Sequence, residues 1–285
     1  MLKDWLCTNL RNPCHFKFSV EDITERLNPD ISNPDDIILN SMAEQLLIAC
    51  APPDMIREEI EMLLEDVDEL DLHIIKDYVE TEIIFPTKGV GKEEIIKLIT
   101  WIGNFGEVLA AQYLIESEGF WFPIYKLRFR EKKDYAMKLT DICLVKTEGL
   151  QKPLVCYGEV KTKTSSCDKD LGIKGHESLK KDDALEKPEI LRFLRQQLYS
   201  MQRYDEARFF SGISLGKISY DIKHTLILVH ETKSWEEDIL KNLHSQELDS
   251  RLVNFSVKVI LIQELRQVID ETYARAWQNV GALLS

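Results

Sequence analysis

Tyr157-Gly158-Glu159-Val160-Lys161-Thr162-Lys163-Thr164 is the stretch on which the fold turns. Leu154-Val155-Cys156-Tyr157 leads into it, so the whole reads as an apolar strand interrupted by an acid and a lysine two residues apart. A strand alternates its faces, so Glu159 and Lys161 point the same way while Val160 points into the core. Upstream, Thr140-Asp141-Ile142-Cys143-Leu144-Val145 reads as a second strand with an aspartate at its start. Asp141, Glu159 and Lys161 together form a candidate site: two carboxylates for a divalent metal, and a lysine beside the water that would attack.

The triplet alone carries little weight. With 49 acidic and 36 basic residues in 285, chance supplies roughly six acid-x-base triplets, and Glu131-Lys132-Lys133 and Asp221-Ile222-Lys223 are decoys of that kind. Context separates this one from them, because a buried strand rarely carries charges that are neither paired nor bound to metal. Two readings of these residues stand: a metal site, or an edge strand with one solvated face.

Working outward, helices precede the strands, and strands then alternate with helices. That order predicts an α/β fold, a mixed sheet flanked by helices. Thr225–His230 and Val257–Gln263 are further apolar strands rich in β-branched residues. Helices are expected over Glu93–Trp101, from a cap at Asn104 to a stop at Gly119, from Pro188 to about Tyr204, and around Trp235–Leu243 and Glu264–Val280. Phe120–Arg130 reads as a strand, and the lysine-rich Ser165–Lys187 as a surface loop with some helix. Toward the front, residues 1–35 are irregular. Helices follow over 35–50 and after Pro52-Pro53-Asp54, where Ile56, Ile60, Leu63, Leu64 and Val67 make an apolar stripe. Ile74–Phe85 is a mixed signal. Pro86-Thr87-Lys88-Gly89-Val90-Gly91 reads as a linker, which gives an acidic, mainly helical region over 1–90 and a second domain over 91–285.

Charge supports that division. The chain carries −13 overall, and residues 1–100 account for all of it, with 9 basic against 22 acidic side chains. Residues 101–285 balance at 27 of each, and residues 121–200 hold 17 basic against 12 acidic. The basic excess surrounds the candidate site, where a phosphate backbone would need it. No apolar run approaches the roughly 18 residues that span a membrane, and Met1-Leu2-Lys3-Asp4-Trp5 has no signal-peptide character. The six cysteines, Cys7, Cys14, Cys50, Cys143, Cys156 and Cys167, make no C-x-x-C pair. They read as reduced thiols in a cytoplasmic protein without a zinc site. Histidines such as His15, His73, His176 and His224 show no ligand spacing, and none is assigned to the site.

A helical glutamate, then Asp141, then Glu159-Val160-Lys161 resembles the PD-(D/E)XK nuclease superfamily. More narrowly, Gly103-Asn104-Phe105-Gly106-Glu107-Val108-Leu109-Ala110, the Leu139-Thr140-Asp141 step and Gly158–Thr164 resemble HamA, the nuclease subunits of Hachiman anti-phage defence systems. The resemblance runs over roughly residues 95 to 235 and is weak over the first ninety. It departs from the superfamily's pattern at the proline, where Thr140 stands. It implies a restriction-endonuclease-like sheet and a Mg²⁺-dependent deoxyribonuclease, Mn²⁺ being the substitute ion. DNA is the implied substrate, and a HamB-like helicase the implied partner. Asp141, Glu159 and Glu107 would be metal ligands, with the backbone carbonyl of Val160 as a third donor of the strand pair, and Lys161 would orient the water. Glu107 also has a bland reading as a carboxylate favoured by the first turn of its helix. Lys163, Arg128 and Arg130 would meet backbone phosphates. Gln197, on a helix that also carries Gln196 and Tyr199, is similar to a glutamine of RecB-like nucleases. Two alternatives remain: a non-catalytic adaptor that binds DNA or a partner, and a restriction or junction-resolving nuclease.

Overall fold

The computed structural model describes residues 7–8, 17–26, 30–65, 92–129, 140–182 and 189–283. Its strands are β1 Cys7–Thr8, β2 Ser19–Arg26, β3 Ile142–Lys146, β4 Leu154–Lys163, β5 Asp221–Glu231 and β6 Ser256–Ile262. Its helices are α1 Ile37–Cys50, α2 Pro53–Glu65, α3 Lys92–Glu118, α4 Leu171–Asp182, α5 Glu189–Ser200, α6 Tyr204–Ser214, α7 Asp238–Ser245 and α8 Leu265–Leu283. The chain divides into two compact units. One comprises 1–28, 109–124 and 138–265, the other 29–108, 125–137 and 266–285. The linker read at 86–91 lies outside the described residues.

The first unit holds a six-stranded mixed sheet of order β1-β2-β6-β5-β4-β3. β2, β6, β5 and β4 run parallel, while β3 and β1 close the two ends antiparallel. Parallel strands are covered on both faces and therefore read as near-continuous apolar runs, as Val257-Lys258-Val259-Ile260-Leu261-Ile262 does here. Leu226, Leu228, Val257, Val259 and Leu261 pack on one face against Leu171 of α4 and Ile239, Leu240 and Leu243 of α7. α4 comes close because residue 175 is glycine: a Cβ there would stand 2.3 Å from Leu226 Cδ1. On the opposite face the end of α3 is pinned by charge. Glu118 Oε1 lies 2.6 Å from Lys258 Nζ, and its Oε2 lies 3.3 Å from Lys223 Nζ.

The described residues of the second unit are mainly helical. Asp36 caps α1 by accepting from Ile38 N and Leu39 N. Trp101 of α3 stacks on Tyr273 of α8 with ring centroids 4.1 Å apart. Arg275 donates to Asn33 O at 2.7 Å and to Asn40 Oδ1 at 2.9 Å, which fixes α8 to the start of α1. None of the described helices is long and apolar enough to cross a membrane.

Several expectations need correction. Residues 1–35 are not uniformly irregular, since β2 pairs with β6 from Ser19↔Ser256 to Arg26↔Ile262. Its polar sequence, Ser19-Val20-Glu21-Asp22-Ile23-Thr24-Glu25-Arg26, hides a strand that tertiary pairing supplies. The two helices around residues 93–119 are one: Asn104 is buried inside α3 rather than at a helix start. The described part of the strand expected over Phe120–Arg130, residues 120–129, is not one. It makes a single bridge, Trp121↔Val145, and a 3-10 turn at Lys126–Phe129. The helix expected within the lysine-rich stretch is α4, Leu171–Asp182. The helix from Pro188 ends at Ser200, because Gln202 takes a left-handed conformation (φ 59°) and starts a separate α6. The Gly119 stop, at φ 70°, is as read.

Candidate active site

β4 is an interior strand, hydrogen-bonded to β3 on one side and β5 on the other, and Val155 to Val160 are all buried. The edge-strand reading of Glu159 and Lys161 therefore fails. The β3–β4 register runs Ile142↔Gly158, Cys143↔Tyr157. One step beyond Ile142 sets Asp141 opposite Glu159, although the two are eighteen residues apart in sequence. Asp141 Oδ2 accepts from Val160 N at 2.9 Å, so its carboxylate is held against the β4 backbone at the residue after Glu159.

Alternation along β4 places Glu159, Lys161 and Lys163 on the face covered by α4. Lys161 Nζ donates to Glu159 Oε1 at 2.5 Å and to Ser178 Oγ of α4 at 3.3 Å. The glutamate is 7% exposed and the lysine 27%. A carboxylate so far from water is costly to ionise without a cation beside it, and Lys161 supplies that cation. Ser178 was missed by sequence reasoning. It lies in a stretch read as loop, and only the close approach of α4 at Gly175, one turn earlier, brings it to the strand.

The donor set is made of hard oxygens, two carboxylates with no thiolate or imidazole, which suits Mg²⁺ or Mn²⁺ rather than zinc. Mg²⁺ keeps several waters and takes only one or two carboxylates, so the residues present fit such an ion. Among the described residues no group of three or more histidine, cysteine, aspartate or glutamate side chains converges as a metal cluster.

Glu107 belongs to the second unit, where its Oε2 lies 3.7 Å from Lys126 Nζ, a lysine 4% exposed that sequence reasoning did not single out. Glu107 is in the middle of α3, four turns in, so the first-turn reading is withdrawn. Arg128, also in that unit, donates from Nη2 to Ile48 O at 2.8 Å and so satisfies a last-turn carbonyl of α1. Arg130 lies outside the described residues. Lys163 ends β4, half-buried, in register with His230. Gln197 is on α5, but a cleft of about 630 Å³ between α5 and α6 is lined by its neighbour Gln196, with Arg195, Tyr199, Tyr204 and Arg208.

Cys156 precedes Glu159 by three residues and lies on the opposite face of β4. Burial pushes its thiol up to about 12, against the lowering influence of Lys223.

The chain is similar to the Hachiman protein HamA of Bacillus cereus, at 26% identity over 182 residues, 63% of this chain and 60% of that protein. It thus matches about three fifths of that relative's length. The family model for HamA matches residues 15–276, a span that takes in β2 of the N-terminal region, both strands of the candidate site and most of α8. With that match over nearly its whole length, the chain belongs to the HamA family, of the Hachiman defence system.

Proposed function

We propose that this protein is a metal-dependent DNA nuclease, the effector of its defence system, hydrolysing phosphodiester bonds in the cytoplasm with a HamB-like helicase as partner. The single observation that carries the reading is the convergence of Asp141 and Glu159 on adjacent strands, with Lys161 on the same face of β4 as Glu159. The antiparallel β3–β4 pair followed by parallel β5 supports a restriction-endonuclease-like core. Free cysteines at 50, 143, 156 and 167 are in keeping with a reducing compartment.

Asp141 and Glu159 would hold Mg²⁺ or Mn²⁺, with the Val160 carbonyl as a further donor. The ion would supply an activated water and neutralise phosphate charge. Lys161 has two tasks. It pairs with the Glu159 carboxylate in a buried setting, and its ammonium is the group that orients the water and meets the developing negative charge. Ser178 holds Lys161 from the other side. Lys163, one step further along the strand, would draw in the phosphate backbone. One observation favours the adaptor alternative: Glu159 and Glu107 are each already paired with a lysine, as in a structural ion-pair set.

Supercoiled plasmid incubated with the full-length protein, with and without its partner, in Mg²⁺, Mn²⁺ or EDTA, separates the two. A nuclease loses cleavage in EDTA, and loses at least about a hundredfold in Glu159→Gln and Lys161→Ala. Cleavage by Glu159→Gln at the wild-type rate sinks the assignment, and no cleavage under any condition favours the adaptor.

For the partner, only part of the apolar stripes of the front is open: among the described residues Leu39, Met42, Leu46, Leu47 and Ile56 are buried. Ile37, Met55 and Met62 remain exposed and are the residues through which an acidic, helical surface would dock. Removing residues 1–86 would also take β2 out of the sheet, so Met55→Asp/Met62→Asp is the cleaner variant. Undiminished helicase capture by it removes α2 from the interface.

A further inference from the structure

The α5–α6 hairpin carries a second feature. α5 buries Ile190, Leu191, Leu194 and Leu198 and turns Arg192, Arg195, Gln196 and Tyr199 outward, a stripe at three- and four-residue spacing. The tight turn at Gln202 then starts α6 at Tyr204. Two tyrosines five residues apart in sequence therefore face each other, their rings 5.3 Å apart at 67°. Both are exposed, Tyr199 at 67% and Tyr204 at 45%. The hairpin holding them is firm. Arg203 donates to Glu206 through two nitrogens and to Pro123 O at 2.6 Å, and Phe210 is buried against Trp121.

Large aromatic rings left in water need an occupant more than a lone exposed leucine does. The cleft they border is about 630 Å³, within the range of sites that take small molecules or single nucleotides. Its cations are available. Arg195 has no acidic partner among the described residues, and Arg208 pairs only with Asp205 in open solvent, at 79% and 96% exposure, where such a pair contributes little. Rings for flat faces, guanidinium groups for phosphates and the Gln196 amide for base edges are the elements of a stacking platform.

We propose that this cleft binds single-stranded nucleic acid, one or two unstacked bases lying against Tyr199 and Tyr204 and the backbone against Arg195 and Arg208. The proposal rests on the chain acting on DNA and specifies the strand form. In a duplex the base faces are already covered by their neighbours and cannot reach the tyrosines.

Fluorescence anisotropy in EDTA, with the full-length protein and a labelled oligothymidine or a duplex of equal length, tests it. Wild type should prefer the single strand. Tyr199→Ala/Tyr204→Ala should lose roughly tenfold or more in affinity, Tyr199→Phe/Tyr204→Phe should stay within about twofold, and Arg195→Ala should reduce the salt slope by about 0.7. These are surface residues, so an unchanged melting temperature certifies the fold. The proposal is overturned if the alanine pair binds the single strand as wild type does, if wild type prefers the duplex, or if it binds no single strand. It is overturned too if the alanine pair keeps its DNA affinity and loses helicase capture, which makes the cleft a protein dock. Plasmid cleavage distinguishes this failure from the failure of the nuclease reading: cleavage that depends on Glu159 with tyrosine-independent binding removes only the cleft, and tyrosine-dependent binding without cleavage removes only the nuclease.

Discussion

Replacing Glu118 by glutamine removes one carboxylate and changes little in shape, yet it should be among the more destabilising single substitutions in the sheet unit. Lys258 is 2% exposed and Lys223 13%, and Glu118, at 23%, lies within 2.6 Å of the first and 3.3 Å of the second. Removing one partner of a buried ion pair costs about 3–5 kcal/mol. Partial exposure of Glu118 puts the expected loss at the lower end, about 3 kcal/mol, which is roughly 6–12 °C in melting temperature for a unit of this size. The same reasoning requires Glu118→Gln/Lys258→Met to recover much of that loss, because the worst-buried charge is then gone as well. Thermal and urea unfolding of the full chain, followed by circular dichroism, measures both. A loss below about 1 kcal/mol for Glu118→Gln, or a double variant no more stable than the single one, would refute the claim that charge pins α3 to the sheet.

Asp141→Asn keeps an oxygen to accept from Val160 N, so it should melt within a few degrees of wild type while losing cleavage; normal cleavage would remove Asp141 from the site. Asp141→Ala leaves that N–H without its acceptor and should cost about 1–3 kcal/mol more than the asparagine, read as the difference in melting temperature. Burial lowers the His176 pKa, against the opposing pull of Glu177, and its Nε2 accepts from Asp249 N at 3.2 Å. The unfolded chain therefore binds a proton more readily than the folded one, and stability falls as pH drops below about 6.5. His176→Gln should flatten that slope between pH 7 and 5, and an unchanged slope would clear His176 of the effect. Gly175→Ala gains up to about 1 kcal/mol of helix propensity, but its Cβ would meet Leu226 Cδ1 at 2.3 Å, an overpacking cost of about 1–3 kcal/mol. The net result should be destabilising and should weaken the Ser178–Lys161 contact, whereas a stabilised variant would show that α4 has room to spare.

Much of the sheet was legible in the chain itself, and for a plain reason. β4, β5 and β6 are apolar runs with β-branched residues, and strands buried on both faces must be so. Within the buried run of β4 charges are conspicuous, which is why Glu159 and Lys161 stand out from Asp221-Ile222-Lys223, which sits at the exposed start of β5. Strand alternation alone put those two side chains on one face. Three matters lay beyond it. Whether β4 was an edge or an interior strand depended on β3 and β5 closing over it, and that decided whether its charges were solvated or paired. That Asp141 stands opposite Glu159 depended on the β3–β4 register, which no local signal encodes. The strand at 19–26 and the bounds of the helix at 171–182 are too polar for periodicity to reveal: β2 exists because β6 offers an open edge, and α4 takes its place because Leu171 and Gly175 find the face of the sheet. Local sequence fixes what a segment prefers by itself, whereas pairing and burial choose its neighbours, and here the candidate site is a property of neighbours.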